Sequence, residues 1–326
     1  MLAIEAVGQT DIGCVRRENE DAFIIHRFNP EDPDRSLGVL AVVADGVGGH
    51  AGGRQASTTS VEKIREYVER NLSGNPGEAL VDAVEETHRF LKEMAQANPS
   101  LKGMGTTCTA VWANDGEAYV AQVGDSRAYL FRNGTYVQIT EDQTLVQKLF
   151  KEGKISEEEI PNHPDRNIIL QALGISETID VDLFHLILKP GDTLLLCSDG
   201  LHGLVKDREM IDIADTLPPA ETAKKLVDLA RMRGGHDNIT AVILNVHERE
   251  ARTSLDPEIG QDEGTDTKNH AVFPSNREKP RRRLALLLVL LGAALTAYLV
   301  LNFPRNPRRP DQPVQRTNQA DVHSEP

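Results

Sequence analysis

The chain has 326 residues, of which 50 are acidic and 36 basic, so its net charge is −14 with neutral histidines. A composition of 39% hydrophobic and 26% charged residues excludes a fibrous, mostly disordered or multi-spanning membrane protein. Residues 1–250 hold 41 acidic and 25 basic side chains, a charge of −16, whereas residues 251–326 carry +2. We expect no nucleic-acid partner, because so acidic a domain repels phosphate backbones.

The first predicted elements are one strand and two helices. An apolar run over residues 37–44, bounded by glycine and aspartate, is typical of a strand. Two amphipathic helices follow, and the second begins with Asn75 as N-cap and Pro76 in the first helical position. Their apolar positions are Val61, Ile64, Val68 and Leu72 in the first helix and Leu80, Val84, Leu91 and Ala95 in the second.

Further strands are grouped in the second half of this region. Apolar runs predict strands at 106–112, 117–123 and 193–197, and Asn133-Gly134 predicts a type I′ turn in a hairpin over 127–140. A third helix is expected from Pro218-Pro219, burying Ala223, Leu226, Val227 and Ala230. Consecutive strands with helices between the groups favour an α+β domain of antiparallel sheets covered by helices.

The C-terminal quarter has a different character. Residues 284–303 are uncharged and apolar over twenty positions, long enough to cross a bilayer as one helix. Residues 251–283 are polar and basic at their end, which predicts a disordered linker, and 304–326 predicts an unstructured tail. Five basic residues precede the apolar segment and three follow it, which predicts a single-pass cell-membrane protein with residues 1–283 in the cytoplasm.

The three cysteines form neither a paired framework nor a Cys-x-x-Cys metal motif. They are expected to be buried thiols in a reducing compartment. They are Cys14, Cys108 and Cys197.

Aspartates recur where predicted strands end. Asp45, Asp125 and Asp199 each lie beside glycine after an apolar run, and Asp237 precedes another such run. A single Asp-Gly pair is ordinary turn chemistry, but several carboxylates meeting in one volume would repel each other unless cations neutralised them. Oxygen ligands favour Mg²⁺ or Mn²⁺ over zinc, and two such ions can activate a bridging water for attack on phosphorus. Arg16 is then a candidate for binding the phosphate.

Six motifs together resemble those of the metal-dependent protein serine/threonine phosphatases of the PPM (type 2C) family, in its compact bacterial form. They cover nearly all of residues 1–247. They are V-R-R-E-N-E-D-A (15–22), V-A-D-G-V-G-G-H-A-G-G (43–53), G-M-G-T-T (103–107), V-G-D-S-R-A-Y (123–129), C-S-D-G-L (197–201) and G-G-H-D-N-I-T (234–240).

The resemblance implies an α-β-β-α sandwich of two antiparallel sheets flanked by helices, within a phosphatase domain of residues 1–250. It also implies a role for each matching residue. Asp45 would bridge two core ions with help from the Gly46 carbonyl, and Arg16 would bind the substrate phosphate. Asp199 and Asp237 would hold the first ion, Glu20 the second, and Asp125 with Asp199 a third, while Asp21 and Asn238 would support these ligands from outside.

Two further features follow from the resemblance. Residues 142–174 match the family's mobile flap beside the catalytic cleft, with an ordinary surface excursion as the alternative. Some relatives carry a histidine proton donor at the position of Val47, so the donor here is left open between His50 and metal-bound water.

The predicted function is metal-dependent hydrolysis of phosphoserine and phosphothreonine on cytoplasmic proteins, by attack of a metal-bridging water. Phosphorylated proteins are the expected partners, with membrane serine/threonine kinases among them. The first alternative is an inactive, membrane-tethered sensor or scaffold, which the retention of every expected carboxylate and of Arg16 disfavours. The second, a two-metal nuclease or phosphodiesterase, is disfavoured by the acidic surface.

Overall fold

Twelve strands and six α-helices are found in the computed structural model, which describes residues 2–28, 38–48, 51–114 and 116–248. The strands are β1 (Leu2–Asp11), β2 (Ala22–Arg27), β3 (Val39–Ala44), β4 (Gly46–Val47), β5 (Gly105–Thr106), β6 (Cys108–Asn114), β7 (Glu117–Val123), β8 (Arg127–Arg132), β9 (Thr135–Gln138), β10 (Asp182–Ile187), β11 (Thr193–Cys197) and β12 (Ile239–Glu248). The helices are α1 (Ala51–Arg70), α2 (Pro76–Ala97), α3 (Leu145–Lys151), α4 (Asp199–His202), α5 (Asp207–Ala214) and α6 (Pro219–Met232).

Ten of these strands form two antiparallel sheets. The first has the order β1-β12-β11-β8-β9 and the second the order β10-β7-β6-β3-β2, while β4 and β5 pair separately. The two sheets and their helices therefore match the predicted α-β-β-α sandwich within the described part of the chain.

Strand β3 illustrates why both faces of a sheet are apolar. Val39, Ala41 and Val43 pack into the cluster between the two sheets. The alternate residues, among them Leu40 and Val42, pack against α1 and α2 on the outer face. Because successive side chains in a strand point to opposite faces, a sheet covered on both sides requires an unbroken apolar run.

The first sheet is covered in the same way by α5 and α6. Leu195 of β11 and Ile243 of β12 contact a cluster that includes Ile211 of α5 and Leu226 of α6. The fold therefore has three apolar layers, one between the sheets and one beneath each set of helices.

The predicted helices are confirmed, with one correction at an end. The Asn75 side chain accepts hydrogen bonds from the backbone N–H groups of Gly77 and Glu78, as an N-cap does. Helix α6 buries the four predicted residues. Leu72 lies beyond the end of α1 at Arg70, although it still packs against the core.

The predicted strands differ from those observed mainly at their ends. The run at 106–112 is divided into β5 and β6, because Thr107 turns out of the ladder and bonds Asp45. The hairpin is confirmed, with φ of 52° at Asn133 and 70° at Gly134, the two positive values that a type I′ turn requires.

Two other predictions concern the cysteines and a membrane-spanning helix. Cys108 and Cys197 are buried, but Cys14 is exposed, because it lies in the loop after β1 rather than on a strand. No helix in the described ranges is long and apolar enough to cross a membrane. The predicted linker, membrane helix and tail lie outside the described residues.

Candidate active site

Strand register brings the predicted carboxylates to one end of the sandwich. In the first sheet, Asp11 at the end of β1 pairs with Ile239 at the start of β12, and Cys197 at the end of β11 pairs with Ala241. In the second sheet, the end of β3 lies beside the starts of β2 and β6. The end of β7 joins them, since Val123 pairs with Cys108. The loops after β1, β3, β7 and β11 and the loop before β12 therefore converge.

Asp45 lies at the centre of this convergence. Its carboxylate interacts electrostatically with four other aspartates, and burial followed by the repulsion from Asp21 raises its pKa well above the usual range. The backbone of Asp45 is held by Thr107, whose N–H donates to the Asp45 carbonyl at 2.9 Å and whose hydroxyl accepts from the Asp45 N–H at 2.9 Å. The other interacting aspartates are Asp21, Asp125, Asp199 and Asp237.

Asp199 begins α4 directly after β11. Burial and then the nearby charge of Asp237 raise the pKa of Asp199, while a hydrogen bond with the Asp45 side chain opposes the shift. The Oδ1 atom of Asp199 is buried without a hydrogen-bond partner. A buried, unsatisfied carboxylate oxygen is costly unless a cation or proton compensates it.

Asp21 is buried beside the other aspartates, and its role as an outer support stays a prediction. Its Oδ2 accepts hydrogen bonds from the hydroxyls of Ser198 at 2.7 Å and Thr240 at 2.6 Å, while its Oδ1 has no partner. Burial raises the pKa of Asp21 to about 7, although the two hydroxyls act in the opposite direction.

Sequence reasoning gave no role to Ser198, Thr240 or Thr107. All three lie inside the six motifs. Ser198 directly precedes Asp199 and Thr240 follows Asp237 by three positions, whereas Thr107 has no aspartate beside it in the sequence. Their position in the motifs was the available signal, but their hydroxyl contacts depend on which strands lie side by side.

Asn238 joins the loop after β1 to the loop before β12. Its Oδ1 accepts from the backbone N–H of Glu20 at 2.8 Å, and its Nδ2 donates to the carbonyls of Ile12 and Glu18, both at 3.0 Å. Asn238 thereby fixes the backbone of the Glu20 segment, while its role as a support of metal ligands stays a prediction. Glu20 itself is buried.

Gly46 and Gly200 permit close backbone approach at the site. A Cβ atom at Gly46 would lie 2.4 Å from the carbonyl oxygen of Gly53, and one at Gly200 would lie 2.0 Å from that of Asn238. Packing therefore requires the glycines that follow Asp45 and Asp199.

Asp125 lies in the turn after β7 and is buried. Its pKa is raised to about 8, first by burial and then by the charge of Asp199. The Asp125 carbonyl lies 3.1 Å from Nε2 of His202, and burial lowers the pKa of that histidine to about 3. His202 is therefore neutral at physiological pH and does not offset the carboxylate charge.

Arg16 lies at the exposed edge of the site. Its Nη2 is 2.6 Å from Oδ2 of Asp237, and it also interacts with the charges of Glu20 and Asp45. Nearly half of the Arg16 side chain is exposed, at 47%. The residue predicted to bind phosphate is thus paired with a residue predicted to bind a cation.

The predicted ligands are brought together without forming a complete ion cage. Within the described ranges, no group of three or more His, Cys, Asp or Glu side chains is arranged so that it could hold a metal ion. The side chains of Asp45 and Asp199 are hydrogen-bonded to each other, and Asp237 is paired with Arg16. Their individual roles as ligands therefore stay predictions.

The remaining site predictions concern the proton donor and the flap. Val47 has no ionisable group, and His50 lies outside the described residues. Residues 142–174 contain α3, whose N-cap is Thr144, and a 3₁₀ helix at Glu157–Asn162. Whether this segment gates substrate access stays a prediction.

Comparison with known proteins identifies the family. The model of the family described as protein phosphatase 2C matches residues 19–232. The chain belongs to the protein phosphatase 2C family. Glu20, Asp45, Asp125 and Asp199 lie within the matched range, whereas Arg16 and Asp237 lie just outside it.

Relatives with sequence and structural similarity extend this assignment. The serine/threonine phosphatase stp of Listeria welshimeri is 36% identical over 241 residues, covering 72% of this chain and 93% of its own. The crystal structure of the Mycobacterium tuberculosis serine/threonine phosphatase PstP/Ppp is 34% identical with a TM-score of 0.68, covering 75% of this chain and 99% of that one. The catalytic domain of PstP in complex with two manganese ions is 33% identical with a TM-score of 0.67, covering 76% and 100%.

Proposed function

We propose that this member of the protein phosphatase 2C family hydrolyses phosphoserine and phosphothreonine in proteins, using divalent cations bound by the aspartate cluster. The observation that carries the proposal is the electrostatic coupling of Asp45 to four other aspartates at one end of the sandwich. Such a concentration of buried carboxylates is characteristic of a functional site rather than of a stabilising core.

The donor set fits hard cations. Buried carboxylate oxygens of Asp21 and Asp199 have no hydrogen-bond partners, and burial raises the pKa values of both residues. Oxygen donors of this kind suit Mn²⁺ or Mg²⁺. The related PstP domain is described with two manganese ions, which supports a pair of core ions here.

The residues that would hold these cations follow the motif assignments. Asp45 with the Gly46 carbonyl would be shared between the two core ions, Asp199 and Asp237 would complete the first, and Glu20 the second. A third ion at Asp125 and Asp199 is part of the proposal. When bound, the cations would neutralise the cluster and polarise the phosphoryl group.

Arg16 is positioned to bind the phosphate. Its guanidinium is exposed at the edge of the cluster, and it presents paired N–H donors that match two phosphoryl oxygens. Binding a substrate there requires Arg16 to exchange its contact with Asp237 for contacts with the phosphate. The side chain would thereby orient the phosphoryl group and stabilise the charge on its oxygens.

The proposal is tested with purified full-length protein and a phosphothreonine peptide. We expect phosphate release to require Mn²⁺ or Mg²⁺ and to stop in excess chelator. A phosphodiester substrate serves as the control and should not be hydrolysed. Turnover that persists without divalent cations would exclude this chemistry, and absence of turnover with every cation would favour the inactive sensor or scaffold.

We also propose that residues 284–303 anchor the protein in the cell membrane, with the phosphatase domain on the cytoplasmic side. The support is the uncharged apolar length of the segment and the excess of basic residues before it. Phosphorylated proteins at the membrane, including serine/threonine kinases, would then be the nearest substrates.

The anchor is tested by cell fractionation. The wild-type chain should sediment with membranes, whereas Leu288→Arg/Leu291→Arg should move to the soluble fraction, because each central arginine costs about 2.5–3.5 kcal/mol in a membrane helix. The matched control Leu288→Ala/Leu291→Ala should remain with membranes. A soluble wild-type chain would disprove the anchor without affecting the proposed chemistry.

A further inference from the structure

Segment 142–174 is attached to the site at its beginning through Gln143. The backbone N–H of Gln143 donates to the carbonyl of Gly124 at 2.9 Å, and the Gly124 N–H donates to the Gln143 Oε1 at 2.9 Å. Gly124 directly precedes Asp125. The residue that begins the segment is therefore hydrogen-bonded twice to the turn that carries Asp125.

The same glutamine also contacts the far end of the segment and the neighbouring strand. Its carbonyl accepts from the Leu170 N–H at 2.8 Å, and its Nε2 donates to Oδ2 of Asp182 in β10 at 2.9 Å. Gln143 thus uses its backbone N–H and carbonyl and both ends of its side-chain amide to join three parts of the chain.

Gly124 transmits this contact towards the centre of the site. Its φ of +101° is a left-handed conformation, and a Cβ atom there would lie 2.7 Å from the Thr107 side chain. Thr107 in turn holds the backbone of Asp45 and bonds the Ser126 hydroxyl at 2.7 Å. A displacement of Gly124 would therefore also move Asp125 and, through Thr107, Asp45.

The end of segment 142–174 is also hydrogen-bonded to residues beside the aspartate cluster. Leu173 and Thr106 exchange two backbone hydrogen bonds, at 2.8 and 3.1 Å, and the Thr106 hydroxyl donates to the Asp45 carbonyl at 2.8 Å. Both ends of segment 142–174 are thus hydrogen-bonded to residues that adjoin the proposed cation-binding aspartates.

We propose that Gln143 is a positioning residue that couples segment 142–174 to cation binding at Asp125. The proposal rests on the proposed function, because the cation site is the one assigned there. Gln143 does not touch the substrate. It fixes the distance between the turn that carries Asp125 and the start of segment 142–174. A cation that restricts the motion of this turn therefore also restricts the motion of the segment.

The first test compares Gln143→Ala with the wild-type full-length protein in detergent. Mn²⁺ binding is measured by titration calorimetry, and amide hydrogen exchange is measured across residues 143–170 with and without saturating Mn²⁺. We expect the weakest Mn²⁺ site to lose about tenfold in affinity, the scale typical of residues that support metal ligands. We also expect Mn²⁺ to slow exchange in this segment of the wild type, and this slowing should be lost in Gln143→Ala.

Gln171→Ala is the matched control. Gln171 lies near the end of the same segment, and its Oε1 accepts from the Asp180 N–H at 2.6 Å. The Asp180 carbonyl also accepts from Gln143 Nε2 at 3.3 Å, so Gln171 shares this neighbour with Gln143 but lacks its two hydrogen bonds to Gly124. Mn²⁺ affinity and Mn²⁺-dependent protection should therefore remain as in the wild type. Equal losses in Gln171→Ala and Gln143→Ala would overturn the specific role of Gln143.

A charge exchange tests the contact with Asp182 and does not depend on Gln143→Ala being folded. Gln143→Glu keeps an acceptor for Gly124 but places a carboxylate oxygen against Asp182, so Mn²⁺-dependent protection should fall. Adding Asp182→Asn restores a donor–acceptor pair and should recover the protection. Failure of this rescue, or unchanged Mn²⁺ binding in Gln143→Ala, would overturn the coupling. Cation-dependent activity of the wild type would still support the proposed function in that case.

Discussion

Asp199→Asn is expected to abolish phosphatase activity while the protein remains folded. The substitution removes one of the charges that surround Asp45 and one of the proposed ligands of two cations. Because loss of a residue that only supports a metal ligand costs 10–100-fold, loss of a ligand should reduce kcat/KM at least about 100-fold. Phosphopeptide turnover at saturating Mn²⁺ measures this loss.

The fold should tolerate this change because the aspartate charge is itself unfavourable when cations are absent. The Asp199 Oδ1 makes no hydrogen bond that could be lost, and an amide at this position can donate to Asp45. We therefore expect the metal-free variant to unfold at the same temperature as the wild type or above it. Asp228→Asn, a change at a half-buried position on α6, is the control and should keep full activity. An Asp199→Asn variant with wild-type turnover would exclude Asp199 from the site.

Metal-free protein is expected to lose stability as the pH rises from 6.5 to 8. The pKa values of Asp21 and Asp125 are raised to about 7 and about 8, well above those of an unfolded chain. In this window the folded protein therefore holds protons that the unfolded chain has released. Each such proton costs about 1.4 kcal/mol of stability per pH unit.

His202 explains why the expected loss of stability begins only near pH 6.5. Its pKa is lowered to about 3 by burial, so between pH 3 and 6.5 the unfolded chain binds a proton that the folded protein does not. That difference makes stability rise with pH and opposes the effect of the aspartates. Above pH 6.5 this opposing effect fades, because the unfolded chain loses its remaining histidine proton, while the aspartate effect continues.

Urea unfolding in excess chelator, followed by circular dichroism, measures the pH dependence. We expect a loss of about 2 kcal/mol between pH 6.5 and 8. Asp125→Asn should reduce the slope, since it removes a carboxyl whose pKa of about 8 lies at the top of this window. Saturating Mn²⁺ should also flatten the profile by replacing the retained protons. Stability that rises over this range without metal would contradict the raised pKa values.

Local sequence patterns predicted helix starts and turns correctly where the interactions that form them join residues close together in the chain. Asn75 caps α2 because its side chain reaches the N–H groups of the next two or three residues. Asn133-Gly134 forms its turn because both positions adopt positive φ. The end of α1 before Leu72 was missed because the apolar spacing continues beyond the last helical hydrogen bonds.

The sequence predicted which residues form the candidate site better than it predicted the contacts between them. Asp45, Asp125 and Asp199 were identified from aspartates that follow apolar strands, and the register of the strands accounts for their proximity. The pairing of Arg16 with Asp237 was not predicted, because an ion pair between residues 221 positions apart depends on how two loops meet.

The layered α+β architecture, the family and the aspartates of the site could be predicted from the chain alone, because each is carried by a local pattern or a short motif. The hydrogen bonds of Asp21 with Ser198 and Thr240, and those of Gln143 with the Asp125 turn, became visible only in the folded protein. Those contacts connect residues that are distant in the chain. They are determined by the register of neighbouring strands and the packing of the loops between them, which no local pattern encodes.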